Sequence, residues 1–133
     1  MAELEKRFDY VLVEADGSAQ RPLKAHAPHE PVIPAEARQT ICVVGASGFG
    51  KPIAGAVHRP HLYAALAGVS EQFDATVETE AAVLLAEKLH DRIYVTQVET
   101  LSELADAKAL AALLHTPLLA GSLHREEYFS CSF

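Results

Sequence analysis

The stretch "TICVVGASGFGKP", Thr40 to Pro52, joins an unbroken apolar run to a turn with three glycines. Ile41, Cys42, Val43 and Val44 do not alternate with polar residues, which predicts a parallel strand covered on both faces, Thr40 to Ala46. Gly45, four residues, then Gly50-Lys51 copies the G-x-x-x-x-G-K skeleton of a phosphate-cradling loop. Pro52 stands where that loop needs Ser or Thr. It has no hydroxyl for Mg²⁺ and no amide N–H, and it biases Lys51 away from the helical region. The following "IAGAVHRP" is a poor helix, with Gly55 inside and Pro60 close behind. The glycines therefore read as a connection of tight backbone geometry, with Lys51 free to reach a ligand.

Upstream, "FDYVLVEA" (Phe8 to Ala15) reads as a buried strand. Glu14 and Asp16 fall at its C-terminal end, where α/β folds build their sites. Two carboxylates there suit Mg²⁺ or a water that Mg²⁺ holds; a solvated strand-to-loop junction is the other reading. "DGSAQRPLKAHAPHEPVIPAEA" follows, with Pro22, Pro28, Pro31 and Pro34. That density excludes a helix or central strand, and a loop so long inside a compact domain is usually functional. It carries Arg21, Lys24, His26, His29 and Glu30. Arg21 and Lys24 suit phosphate or an ordinary charged surface. His26, His29 and Glu30 have metal-ligand chemistry, but no strand or helix fixes their spacing, so solvent-exposed histidines are the expectation. His58 and His61 are read the same way. Ser47 and Ser122 have no recognisable His/Asp partners for nucleophilic catalysis.

Downstream, "HRPHLYAALAGV" predicts a short helix with Pro60 near its first turn, and Val77 to Leu89 a second helix. Asp91 to Val98 is a third strand. "TLSELADAKALAALL" is an amphipathic helix that Thr100 or Ser102 can cap, its apolar side marked by Leu101, Leu104, Leu110, Leu113 and Leu114. "TPLLAGSL" is a short fourth strand, and the tail "HREEYFSCSF" stays unplaced. Strands alternating with helices predict a single α/β domain over residues 1–133, with a three-layer parallel sheet.

The chain has 133 residues, half of them apolar, and a formal net charge of −7. That charge argues against nucleic acid or an acidic membrane as partner. Cys42 and Cys131 are too few for a disulfide framework and read as free thiols. The first residues have no apolar leader and no run approaches a membrane span, so a cytoplasmic protein is expected.

The order "VEADG", "RPLK", "HEPVIP", "GKP", "VHRP" resembles that of the selenium-dependent hydroxylase accessory protein family (YqeC-like). The likeness is close from Asp9 to Pro60 and looser to about Leu123. It implies a P-loop-NTPase-like (Rossmann-like) fold, a link to molybdenum hydroxylases with a labile selenium cofactor, and use of Mg²⁺ with ATP or GTP. Glu14 and Asp16 match the family's acidic motif; Arg21, Lys24, His29, Glu30, Lys51, His58 and Arg59 match its loop motifs. In that family the phosphate loop precedes the acidic strand, so residues 1–133 correspond to an N-terminally truncated, C-terminal part of the fold. A phosphate-loop unit would then act in trans. The family's Asn-Lys-x-Asp-like base-reading segment corresponds to Thr96, Gln97 and Glu99, where neither the Lys stem nor the Asp is kept, and "AGSL" takes the place of the last base-contacting loop. The expectations are an accessory factor for a selenium- or molybdenum-dependent hydroxylase or, alternatively, a non-catalytic binding and assembly module. An unpaired sheet edge adds a homo-oligomer.

Overall fold

The computed structural model describes residues 1–133. In chain order the elements are α1 (Ala2–Glu5), β1 (Leu23–Lys24), β2 (Ile41–Gly45), a 3-10 turn (Ala46–Gly48), α2 (Ile53–Ala56), β3 (Val57–His58), α3 (Pro60–Ala67), α4 (Val77–Glu87), β4 (Arg92–Thr96), α5 (Leu101–Leu114), β5 (Leu118–Ser122) and β6 (Glu127–Cys131). The main sheet has the order β2-β4-β5-β6. Its first three strands are parallel, with Cys42 opposite Ile93 and Val44 opposite Val95. The tail turns back as β6, antiparallel to β5, with Leu118 opposite Cys131. The chain is thus an α/β protein with a mixed sheet rather than an all-parallel one. A second, two-stranded sheet pairs β1 with β3 in parallel, Leu23 with Val57 and Lys24 with His58.

The predicted third layer is absent from this chain. Val44, Ile93, Val95, Leu118, Ala120 and Cys131 face one way, into one apolar cluster with α4 and α5. Residues of the opposite parity are open: Ile41, Val43, Leu119 and Tyr128 are all exposed. Strands need a period-two pattern only where one face is wet, so the continuous run at 41–44 promised a cover on both faces that residues 1–133 do not supply. The Phe8–Ala15 run is likewise not a strand. Its backbone pairs with nothing from Asp9 to Glu14, and Tyr10 and Leu12 are 88% and 94% exposed.

Helix starts follow the local chemistry. Thr100 caps α5 through a capping box: the Glu103 amide donates to Thr100 Oγ1, and Glu103 Oε2 accepts from the Thr100 amide at 2.9 Å. Thr76 and Thr79 make the same reciprocal pair at α4. The buried face of α5 is Ala107, Leu110, Ala111 and Leu114, while Leu101 and Leu113 are exposed. Alanines at helical spacing let α4 and α5 approach closely, so the larger leucines at 101 and 113 are not the core side. α3 starts at Pro60, and α4 and α5 end on left-handed residues, Lys88 and His115.

Candidate functional site

The Gly-rich turn is where the proline loop crosses the end of β2. The Gly45 amide donates to the Pro22 carbonyl at 2.8 Å. A Cβ on Gly45 would lie 2.7 Å from the Pro22 Cβ and 2.7 Å from Gln97 Oε1, and one on Gly48 would lie 2.7 Å from the Leu23 Cγ. These two glycines are there because Arg21–Leu23 passes over them. Four further amides of the turn are used inside the fold: Phe49 to Ala46, Gly50 to Ala75, Lys51 to Gly48 and Ile53 to Phe73. A phosphate cradle needs such amides unspent. The helix behind the turn, α2, is only four residues long. Lys51 is exposed, and its backbone, not its ammonium, makes its contacts, accepting from the Ala75 amide at 2.8 Å. Ser47 Oγ donates to Gln97 Oε1 at 2.6 Å, so the turn is tied to the Thr96–Glu99 segment. Gln97 has φ +64° there. Glu99 is held by Ser122 Oγ at 3.0 Å and, through its carbonyl, by Arg125 at 2.8 Å.

Beside that crossing, four of the sequence candidates converge. Arg59 grips the Glu30 carboxylate with two parallel bonds, 3.0 and 2.9 Å, and the Ala27 amide adds a third at 3.2 Å. Lys24, only 8% exposed at its side chain, directs its ammonium at Asp16 Oδ2 (2.7 Å), Glu30 Oε2 (3.2 Å) and the Gly17 carbonyl (2.6 Å). Its charge is therefore already met by two carboxylates inside the fold. The Arg59 fork, with Ala27 and Lys24 behind it, holds the Glu30 carboxyl far below the ordinary carboxylate range.

His26 extends this set. Its Nε2 lies 2.9 Å from Asp16 Oδ2 and its Nδ1 2.9 Å from Glu87 Oε2 at the end of α4, while its amide donates to Glu87 Oε1 at 2.6 Å. Asp16 Oδ2 takes both cations as close ion pairs without hydrogen-bond alignment. The ring stands between two carboxylates, a setting that favours the imidazolium. Accordingly the hydrogen bond to Glu87, aided by the charges of Glu87 and Asp16, raises the His26 pKa. Two turns back on α4, the Glu80 carboxyl is buried and accepts from Tyr63 Oη at 2.8 Å; burial pushes it up to about 7.

The expectation of solvent-exposed loop histidines holds for His29, 76% exposed, and fails for His26. Lys24 and His26 sit two apart in extended chain and so share a side, a signal that could have singled His26 out. Glu87, 61 residues further on, offered none. Glu14 is exposed and stands apart from Asp16's ion pairs. Arg21 donates to the Gly55 carbonyl. His58 contributes its carbonyl to the Ala25 amide at 3.1 Å. No three His, Cys, Asp or Glu side chains come together as a metal site, so Glu14 and Asp16 do not by themselves fit Mg²⁺. A groove of about 1540 Å³ opens alongside, with Phe8, Leu12, Ile41, Val43, Tyr94 and Leu119 among its walls. No helix is long and apolar enough to cross a membrane.

Residues 1–61 match the family model described as YqeC protein. That span includes every member of the ion network except Glu87. The uncharacterized protein YqeC of Escherichia coli (strain K12) is 38% identical over 78 residues, which is 58% of this chain and 30% of the relative. The chain is therefore YqeC-like in its N-terminal half and spans less than a third of that relative's length. No solved structure matches.

Proposed function

We propose that this chain is a binding and assembly module serving the maturation of a selenium- or molybdenum-dependent hydroxylase. The hydroxylase link rests on the motif series. The module character is supported by one observation: the motif residues Asp16, Lys24, Glu30 and Arg59 neutralise one another. Such an arrangement fixes a loop in shape rather than holding a reactive group ready. A second reading, a nucleotide-dependent factor completed in trans by a phosphate-loop unit, has its support in the open groove. There ATP or GTP and its Mg²⁺ would be held mainly by the added unit.

Calorimetric titration of the chain with MgATP and MgGTP tests the choice. No binding heat is expected. Saturable micromolar binding that Lys51→Ala removes would overturn the module reading in favour of the second. Sedimentation with a purified molybdenum hydroxylase tests the partner: a co-sedimenting complex is expected, and its absence at tens of micromolar (roughly the weak end of specific association) removes the hydroxylase assignment.

A further inference from the structure

β6 closes the sheet on the side away from β2: β5 pairs with one of its edges and no strand pairs with the other. An antiparallel ladder spends alternate backbone groups on each side, and the outward groups of Glu127–Cys131 find no partner elsewhere in the chain. Apolar side chains crowd this edge in the open. Tyr128 and Phe129 are 52% and 38% exposed, and Leu101, at the start of α5, is 86% exposed. A hollow of about 160 Å³ lies beside the edge, with Leu101, Leu104, Glu127 and Phe129 in its walls. All of these residues lie outside residues 1–61, the span of the family match.

Charge is distributed along the edge in a way that suits the strand's own copy. Glu127, Phe129 and Cys131 share one side of the strand, and Cys131 is buried in the core, so that side is the one α5 covers. Burial raises the Cys131 thiol and the Lys108 ammonium of α5 lowers it, which puts Lys108 near the Cys131 end of β6. Glu127 stands at the other end. Neither Glu127 nor Lys108 has an ion-pair partner within the chain. An antiparallel pairing of β6 with itself that uses the whole strand sets Phe129 opposite Phe129, Tyr128 opposite Ser130 and Glu127 opposite Cys131. Each Glu127 then comes beside Lys108 of the other copy, and no like charges meet. This match follows from self-pairing. A strand of other sequence meets it only by carrying the same spacing of acid and cation.

We propose that β6 is a homodimer edge: it pairs antiparallel with β6 of a second copy of this chain across a two-fold axis at Phe129, doubling the four-stranded sheet and joining each Glu127 to Lys108 of the other copy. A two-fold contact of this kind closes on itself. The inference goes beyond the reading of the ion network and does not depend on it.

Sedimentation equilibrium of the full chain at roughly tens of micromolar should give twice the 14.3 kDa chain mass. Glu127→Lys and Lys108→Glu, both at exposed side chains, should each raise the dimer dissociation constant at least tenfold. The double variant should return it toward the parent value. The register has its own readout. Phe129→Cys, opposite itself on the axis, should form a covalent dimer under mild oxidation, while Tyr128→Cys, opposite Ser130, should not. If a charge variant fails to fold, the cross-link decides alone. A monomeric chain, the result expected where a segment of other sequence covers the edge, would overturn the proposal. A dimer that the charge exchange does not restore, or that Phe129→Cys does not cross-link, would overturn it too. None of these readouts involves nucleotide or hydroxylase, so a failure here is separate from a failure of the functional reading.

Discussion

Arg59 and Glu30 form a two-bond fork between the start of α3 and the proline loop, and Arg59 holds a left-handed backbone (φ +66°) to do so. A non-glycine residue in that conformation stays only where its surroundings hold it. Glu30→Gln keeps the shape of the side chain but removes the charge that Arg59 and Lys24 share. We expect a loss of about 2–3 kcal/mol, the scale of hydrogen bonds to charged groups, read as a shift in the urea midpoint at pH 7. Arg59→Lys should not restore the wild-type midpoint, because an ammonium cannot make the parallel pair. A Glu30→Gln variant as stable as the parent would show that the fork is decoration.

The glycines separate by environment. Gly45→Ala places a methyl 2.7 Å from Pro22 and Gln97 and should cost about 1–3 kcal/mol by overpacking. Gly50→Ala meets open space but at φ +78°, for a cost of about 1–2 kcal/mol. Gly55→Ala, in α2 with nothing within 4 Å, should stabilise by up to about 1 kcal/mol. Thermal melts of the three variants check this sign pattern. A destabilised Gly55→Ala beside a neutral Gly45→Ala would contradict the crossing of Pro22 over β2.

Three titrations set the pH profile. The Glu30 carboxyl is lowered from its ordinary 4.5, so its contribution is present above that value and lost as pH falls further. Glu80 goes the other way: its pKa rises from 4.5 to about 7, and the stability of its neutral native form declines between those values as pH rises. His26 is raised from 6.5, so its contribution is full below 6.5 and lost as pH climbs through the folded value. The urea midpoint should therefore peak near about pH 5 and fall toward both pH 3 and pH 8. Glu80→Gln should flatten the limb between 5 and 7, and His26→Gln the part above 6.5. A midpoint that climbs steadily from pH 5 to 8 would refute these assignments.

Neither thiol should behave as a reactive cysteine. Cys131 is buried in β6, and the Cys42 thiol is pushed up to about 12 by burial and by the charges of Glu80, Glu87 and Asp16. Ellman's reagent at pH 8 should modify the folded chain slowly and the urea-unfolded chain at once. Rapid modification of Cys42 in the folded chain would mean that the thiol is not shielded as described.

The elements with strong local signals were legible in the sequence: the strands at 41–45, 92–96 and 118–122, and the capped helices α4 and α5. The partners of those elements were not. Phe8–Ala15 has the composition of a buried strand but lacks anything to pair with, and composition carries no information on a missing neighbour. β6 was hidden because Glu127 and Ser130 broke its apolar pattern at a sheet edge, where one side stays wet. Of the site, Asp16, Lys24, Glu30 and Arg59 came from the motif series, whereas His26 with Glu87 required knowing that α4 ends beside the loop. The G-x-x-x-x-G-K likeness misleads for a related reason: glycines that admit a crossing chain and glycines that admit a phosphate look alike as letters.

Of the first 40 residues, only Leu23 and Ala25 are buried in the core. The rest of that stretch is attached through charge pairs, the two-residue strand β1 and single hydrogen bonds such as Gly45 to Pro22 and Thr40 to Asp91. Ionic strength screens these pairs only weakly, because the Lys24, Glu30 and Glu87 side chains are largely shielded from water. Acid strong enough to neutralise the carboxylates is the release: the segment should come loose as a unit there, before the apolar cluster beneath α4 and α5 opens, and exchange its amides on its own timescale. A protein built this way has a detachable strap, one whose two apolar pegs set where it returns.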